Sequence, residues 1–142
     1  MNAALDEARQ LLRAAIRDKT AFDLLIGTGG APHETVGFLA QQACEKLIKA
    51  QLVLHGARVE RTHDLERLFD LATAQGIVVP VPGDVLRRLN PYAVALRYES
   101  SEVIWMTEED AAQIVNTLLH WASNPIEASE ESLDPVGKDR IE

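Results

Sequence analysis

One stretch of the sequence, residues 33–55, constrains the fold more than any other. Its apolar residues recur at alternating intervals of four and three, which is the repeat of an α-helix with one buried face. These positions are Val36, Ala40, Ala43, Leu47, Ala50 and Leu54. A second apolar row runs beside them through Leu39, Cys44, Ile48 and Leu52. An apolar face this wide predicts a helix at the centre of a bundle.

The polar side of this helix is predicted to carry Gln42, Glu45, Lys46 and Lys49. Glu45 and Lys49 are four residues apart with the acid first, which favours an ion pair along the helix. Gly56 follows the pattern and is typical of a helix terminator.

Further helical patterns lie on both sides of this segment. The first covers residues 3–19, and residues 20–26 either extend it or form a separate turn. The third begins after Thr62 as its N-cap, and the fourth begins near Asp84. Pro91 removes a backbone donor within the fourth helix, so a kink or a break is expected there.

The last predicted helix begins at Thr107 and stops at Pro125. Residues 77–82 are rich in valine, but Pro80 and Pro82 favour an extended linker over a strand. The sequence therefore predicts an all-α, antiparallel up-and-down bundle of about five helices with a kinked fourth helix.

Charge divides the chain into a bundle, residues 1–123, and an acidic tail that is predicted to be disordered, residues 124–142. The net charge is −8, and the tail with six acids and two bases contributes half of it. Because general nucleic-acid affinity comes mainly from Lys and Arg, any RNA contact requires a local basic face. Cys44 is the only cysteine, so an internal disulfide is excluded and a cytoplasmic location is the simplest expectation. No apolar run approaches the ~18 residues of a membrane span.

Signatures of common enzyme classes are missing from the sequence. It contains no phosphate-binding loop, no dinucleotide-binding glycine pattern, no Cys-x-x-Cys and no His-Glu-x-x-His. The four histidines are too scattered for their spacing to indicate a metal site. No cofactor and no metal are expected.

Basic residues cluster around the corner between the second and third helices. The candidates for ligand binding are Lys46, Lys49, Arg58, Arg61 and His63. Together they would form a positive patch suited to a phosphate or to RNA. The alternative is a solvated face whose charge is balanced by Glu60, Asp64 and Glu66. His63 likewise has two interpretations, as part of a helix-capping polar network or as a phosphate contact.

Three short stretches, taken in order, resemble the HEPN family. Residues 38–50, Phe-Leu-Ala-Gln-Gln-Ala-Cys-Glu-Lys-Leu-Ile-Lys-Ala, are similar to the signature second helix of HEPN domains. Residues 61–65, Arg-Thr-His-Asp-Leu, resemble the start of the third helix, and residues 90–98, Asn-Pro-Tyr-Ala-Val-Ala-Leu-Arg-Tyr, the end of the fourth. The resemblance covers residues 5–122.

The resemblance implies a homodimer whose last helices meet across a cleft. It also implies pairing with a minimal nucleotidyltransferase in a toxin–antitoxin or defence system. Many family members are metal-independent ribonucleases with Arg, four to six residues and then His near the end of the bundle. In that chemistry His exchanges a proton with a 2′-hydroxyl and Arg stabilises the phosphorane charge.

This sequence departs from the catalytic motif. No histidine follows Arg97 at the family's spacing. Arg58 and His63 have four residues between them, but they lie at the wrong end of the bundle, and we interpret this match as coincidence. The hypothesis is a dimeric module that binds a nucleotide or RNA, or pairs with a nucleotidyltransferase. Arg97 and Tyr98 are the candidates for the dimer cleft, and Tyr92, partly in the core, is a further candidate for ligand binding. The alternatives are a divergent metal-independent endoribonuclease that uses Arg97, and a purely structural assembly module.

Overall fold

The computed structural model describes residues 2–95 and 103–132. These residues form an all-α bundle without strands, which confirms the predicted fold class. The helices are α1 (Ala3–Thr28), α2 (His33–Leu54), α3 (Leu65–Ala74), α4 (Gly83–Arg87), α5 (Tyr92–Ala95) and α6 (Glu108–Ser132).

Helix α2 lies at the centre of the bundle, as its wide apolar face predicted. It packs against α1, α3, α5 and α6. Its apolar residues are buried on several sides, and Cys44 is fully buried among them. Burial raises the pKa of the Cys44 thiol to about 12, so this cysteine behaves as a small core residue.

Helix α1 is longer than its first apolar repeat. Asn2 caps it by accepting a hydrogen bond from the backbone N–H of Leu5 at 3.1 Å. The segment left open in the sequence, residues 20–26, continues the helix, and Phe22 adds its side chain to the core. The helix ends at Gly29, which adopts the left-handed conformation with a φ of 73°.

The N-cap of α3 is Asp64, and the prediction of Thr62 was wrong by two residues. The carboxylate of Asp64 accepts from the backbone N–H groups of Glu66 and Arg67. The hydroxyl of Thr62 instead accepts from the N–H of Asp64 at 3.1 Å. Thr62 therefore forms the turn that leads into the cap.

Residues 77–82 are an extended linker, as the two prolines predicted. Ile77, Val79 and Val81 turn into the core, while Val78 is 82% exposed. The fourth predicted helix is bent: α4 and α5 are separate short segments, and Pro91 lies between them. The bend places Asn90 beside the start of α3.

Helix α6 begins after Thr107, whose hydroxyl accepts from the N–H of Asp110 at 3.1 Å. The predicted stop at Pro125 is wrong, because the helix continues through Pro125 to Ser132. An interior proline costs a helix about 3 kcal/mol. Ile126, the next residue, is 1% exposed, and its burial offsets part of that cost. The division of the chain at residue 123 stays a prediction.

Candidate ligand-binding site

A buried carboxylate lies at the corner between α2 and α3. Glu45 was expected on the polar side of α2, but it is 5% exposed. Lys49 Nζ donates to its Oε2 at 2.9 Å, and Gln41 Nε2 donates to its Oε1 at 3.2 Å. The Nδ1 atom of His63 lies 2.8 Å from the same Oε1. We call Gln41, Glu45, Lys49 and His63 the Glu45 cluster.

The partners of Glu45 keep it ionised despite its burial. Burial raises the pKa of a carboxyl group, because the charged form loses its hydration. In Glu45 the hydrogen bonds from Lys49, His63 and Gln41, together with the positive charge of Lys49, outweigh that effect. The pKa of Glu45 is therefore held below its usual value.

The backbone around His63 is fixed from two sides. Gln41 Nε2 also donates to the His63 carbonyl at 2.9 Å. On the other side, Asn90 Nδ2 donates to Asp64 Oδ1 at 2.8 Å, and Asn90 Oδ1 accepts from the N–H of Leu65 at 2.9 Å. Three elements, α2, the α4–α5 bend and the first turn of α3, thus hold one histidine in place.

The His63 side chain is held in place and remains open to solvent. It is 60% exposed, whereas the side chains of Glu45 and Lys49 are 6% and 15% exposed. The imidazole borders a surface groove of about 290 Å³. The groove is lined by His63, Asp64, Asn90, Ala93 and Val94. Its lining combines a small apolar surface with hydrogen-bonding groups, which is typical of small-molecule sites.

The structure brings together only part of the predicted basic patch. Lys49 and His63 meet through Glu45, whereas Lys46 forms an ion pair with Asp18 of α1. Arg58 lines another cavity, of about 360 Å³, between the N-terminus of α1 and the end of α2. Arg61 is exposed in the loop before α3.

A second polar cluster, which the sequence did not reveal, joins α2, α5 and α6. The Nδ1 atom of His33 lies 3.0 Å from Glu108 Oε2, and its Nε2 lies 2.6 Å from Tyr92 Oη. Tyr92 Oη also accepts from the backbone N–H groups of Trp105 and Met106 at 3.1 and 3.2 Å. We call His33, Tyr92 and Glu108 the His33 clamp.

Tyr92, a predicted ligand contact, is 1% exposed at the centre of this clamp. Burial raises its pKa, and this outweighs the opposite effect of the N–H groups of Met106 and Trp105. Its phenol therefore stays neutral. The ring packs so closely on α2 that a Cβ at Gly37 would lie 2.3 Å from Tyr92 Cδ1. A direct ligand contact by Tyr92 stays a prediction.

Two predicted cleft residues, Arg97 and Tyr98, lie outside the described residues, and their roles stay predictions. Within residues 2–95 and 103–132, no three His, Cys, Asp or Glu side chains are grouped to hold a metal ion. No helix in those ranges has both the length and the apolar character needed to cross a membrane.

Comparison with known families tests the resemblance that residues 38–50, 61–65 and 90–98 suggested. The model of the HEPN domain matches residues 8–120. The chain belongs to the HEPN family. Comparison with curated proteins and with solved structures finds no significant match. Membership makes this HEPN chain a nucleotide- and RNA-related, ribonuclease-like module.

Sequence reasoning predicted the ion pair between Glu45 and Lys49, which the structure confirms. It missed the burial of Glu45 and the contacts that Gln41 and Asn90 make at this candidate site. Gln41 and Glu45 have the spacing of neighbours on one helix face, next to the apolar row that contains Cys44. A polar pair beside a core stripe is a usable signal for a buried network. Asn90 precedes Pro91 in a matching stretch, but its contact with α3 spans 26 residues of sequence. Local patterns carry no information about such a contact.

Proposed function

We propose that this HEPN chain is a dimeric module that binds a nucleotide or RNA at the face formed by His63 and the adjoining groove. We further propose that it pairs with a minimal nucleotidyltransferase in a toxin–antitoxin or defence system. The observation that carries the binding proposal is the exposed imidazole of His63 anchored on buried Glu45.

The fold alone does not require an ionised Glu45 in the core to hold the His63 ring. Burying an ionised carboxylate is costly unless it is fully paired, and an apolar residue at position 45 could pack in its place. Glu45 instead receives three hydrogen bonds, one of them from an imidazole that is largely outside the core. A costly buried charge that orients an exposed side chain supports a ligand contact there.

The groove next to His63 fits part of a nucleotide. Ala93 and Val94 offer an apolar surface on which a base can rest. Asp64 Oδ2 and the second N–H of Asn90 Nδ2, which the bonds at the start of α3 do not use, are suited to ribose hydroxyls and base edges. His63 stands at the rim, where a phosphate linked to that sugar would lie.

The charges favour a defined site over a general polyanion surface. Lys46 and Lys49 are paired with Asp18 and Glu45. Arg67 Nη2 donates to Glu60 Oε1 at 2.7 Å, which supports the alternative of a balanced face for this arginine. Paired cations release few counterions, so they contribute little to non-specific nucleic-acid affinity.

The test is binding of labelled single-stranded RNA and of a nucleoside monophosphate at low salt. His63→Gln is expected to weaken binding about tenfold, because a hydrogen bond to a charged group contributes about 1.5 kcal/mol or more. His120→Gln, an exposed histidine on α6, is the matched control and should bind as the wild type does. Native mass spectrometry of the chain co-expressed with its neighbouring gene tests the dimer and the partner.

A wild-type protein that bound neither ligand and co-purified with no transferase would contradict the proposal. Equal losses in His63→Gln and His120→Gln would contradict the placement of the site.

A second candidate is a divergent metal-independent endoribonuclease. The His63–Glu45 pair favours it, because a carboxylate that orients an imidazole is an arrangement used in acid–base catalysis. In this proposal Arg97 stabilises the negative charge on the oxygens of the phosphorane. RNA cleavage in a chelator that is lost in both Arg97→Ala and His63→Gln would support it, and cleavage unchanged by Arg97→Ala would exclude that role for Arg97.

A further inference from the structure

The hydrogen bonds of His63 determine which of its two ring nitrogens can gain or lose a proton. An ionised carboxylate only accepts hydrogen bonds, so the 2.8 Å contact with Glu45 requires a proton on Nδ1. In the neutral ring the lone pair is then on Nε2. Among the described residues, no group hydrogen-bonds to Nε2. This atom therefore gains and loses the proton, and it belongs to a side chain that is 60% exposed.

The two protonation states present opposite chemistry to a ligand. A neutral ring presents a lone pair at Nε2, which repels phosphate oxygens and accepts from hydroxyl groups. A protonated ring presents an N–H and a positive charge, which form a charge-assisted hydrogen bond with phosphate. Histidine changes between these states within the physiological pH range.

Charged and neutral polar groups from three elements surround the ring. Glu45 and Lys49 approach from α2 with opposite charges 2.9 Å apart, so their net effect on the site is small. Gln41 is neutral, and so is Asn90 from the α4–α5 bend. Asp64 at the start of α3 is the acid that lines the groove. Protonation of His63 adds one positive charge and one N–H donor at this groove.

We propose that phosphate binding at this face is coupled to protonation of His63 at Nε2, and that Glu45 is the positioning residue that makes Nε2 the titrating atom. This inference rests on the proposed function, which it extends from a place of binding to its control by pH. The chemistry recognised is a phosphate group, whether of a free nucleotide or of an RNA backbone.

The binding test needs a probe whose own charge is constant. A nucleoside monophosphate titrates near pH 6, in the same range as histidine, but a phosphodiester does not. The probe is therefore a short oligoadenylate that carries a pH-insensitive dye, measured by fluorescence anisotropy between about pH 8 and pH 5.5. The wild type is expected to bind about tenfold more tightly at the lower pH.

The variants separate the roles of the two residues. His63→Gln should bind weakly with a flat pH profile. Glu45→Gln replaces a carboxylate, which only accepts hydrogen bonds, by an amide, which can also donate, so the neutral ring is no longer restricted to a proton on Nδ1 and nitrogen-15 NMR should report both tautomers. His120→Gln should retain the profile of the wild type. Competition by a dinucleoside monophosphate and by free AMP then distinguishes an RNA backbone from a nucleotide as the source of the phosphate.

A second measurement requires neither ligand nor variant. Nitrogen-15 NMR of the wild-type imidazoles reports which ring nitrogen carries the proton at high pH, and His63 should carry it on Nδ1. A proton on Nε2 would overturn the role assigned to Glu45. Binding that is present but independent of pH would overturn the coupling and leave the proposed function standing, whereas no binding at any pH would overturn both.

Discussion

Two histidines of this bundle contact a carboxylate through Nδ1, and the difference between them lies at the other ring nitrogen. In His33 the Nε2 atom is 2.6 Å from Tyr92 Oη, and the side chain is 21% exposed. In His63 the Nε2 atom has no partner among the described residues, and the side chain is 60% exposed. The positions of the acids are reversed as well: Glu108 is 37% exposed, while Glu45 is 6% exposed.

A histidine paired with a glutamate thus serves two different purposes in this bundle. In the His33 clamp both ring nitrogens are used inside the protein, and the clamp joins the start of α2 to α5 and to the first turn of α6. In the Glu45 cluster the buried acid orients a ring that is 60% exposed and whose second nitrogen has no partner among the described residues. The first arrangement contributes to stability, and the second makes a group available to a ligand.

The largest expected effect comes from crowding the clamp. Gly37→Ala places a Cβ 2.3 Å from Tyr92 Cδ1. Because the ring is fully buried, we expect a loss of about 2–3 kcal/mol in the free energy of unfolding, measured by urea denaturation. Gly27→Ala is the control: nothing lies within 4 Å of its Cβ, and in a helix it should stabilise by up to about 1 kcal/mol. Equal stability of the two variants would show that Tyr92 does not occupy this position.

The next effect compares the two histidines directly. His33→Gln removes the contact with Glu108 and one of the hydrogen bonds of the buried Tyr92 hydroxyl, which keeps its bonds to the backbone N–H groups of Trp105 and Met106, so it should cost about 1 kcal/mol. His63→Gln changes an exposed side chain and should alter the free energy of unfolding by no more than about 0.5 kcal/mol. Urea denaturation of both variants at neutral pH measures the difference, and a larger loss in His63→Gln would reverse our assignment of roles.

The smallest effect is expected in the free energy of unfolding at acidic pH, called here the acid limb of its pH dependence. The pKa of Glu45 is lowered in the folded protein from its ordinary value of 4.5. As the pH falls, the unfolded chain therefore takes up this proton first. The stabilisation is complete above pH 4.5 and is lost as the pH falls toward the folded pKa. Glu45→Gln lacks this contribution, so its free energy of unfolding should fall less than that of the wild type.

The control for this comparison is Glu127→Gln, an exposed acid on α6. Its acid limb should follow that of the wild type. An identical acid limb in Glu45→Gln would mean that Glu45 is not held in the ionised form by its partners.

The helices could be predicted from the sequence because their signals are local. The stripe from Val36 to Leu54 gave α2 almost to the residue, and Pro91 marked the bend between α4 and α5. Pro125 was misleading, because the burial of Ile126 beyond it is a tertiary effect that a local rule cannot include. Thr62 and Asp64 are both good capping residues, and spacing alone did not choose between them.

The candidate site was predicted less completely. Lys49 and His63 were named, and Arg97 and Tyr98 remain predictions outside the described residues. Glu45 was assigned to the polar side, since helix periodicity shows which face a residue occupies but not what packs over that face. The His33 clamp joins residues 59 and 75 positions apart, which no local pattern reveals.

The linker of residues 77–82 has a consequence for solubility. Its alternating burial without a strand partner leaves an extended, valine-rich segment at the surface, the kind of edge on which another chain can add as a strand. Pro80 and Pro82 lack the backbone N–H groups that such pairing requires. The same two prolines that favoured a linker in the sequence thus remove two of the backbone donors that strand addition at this segment would need.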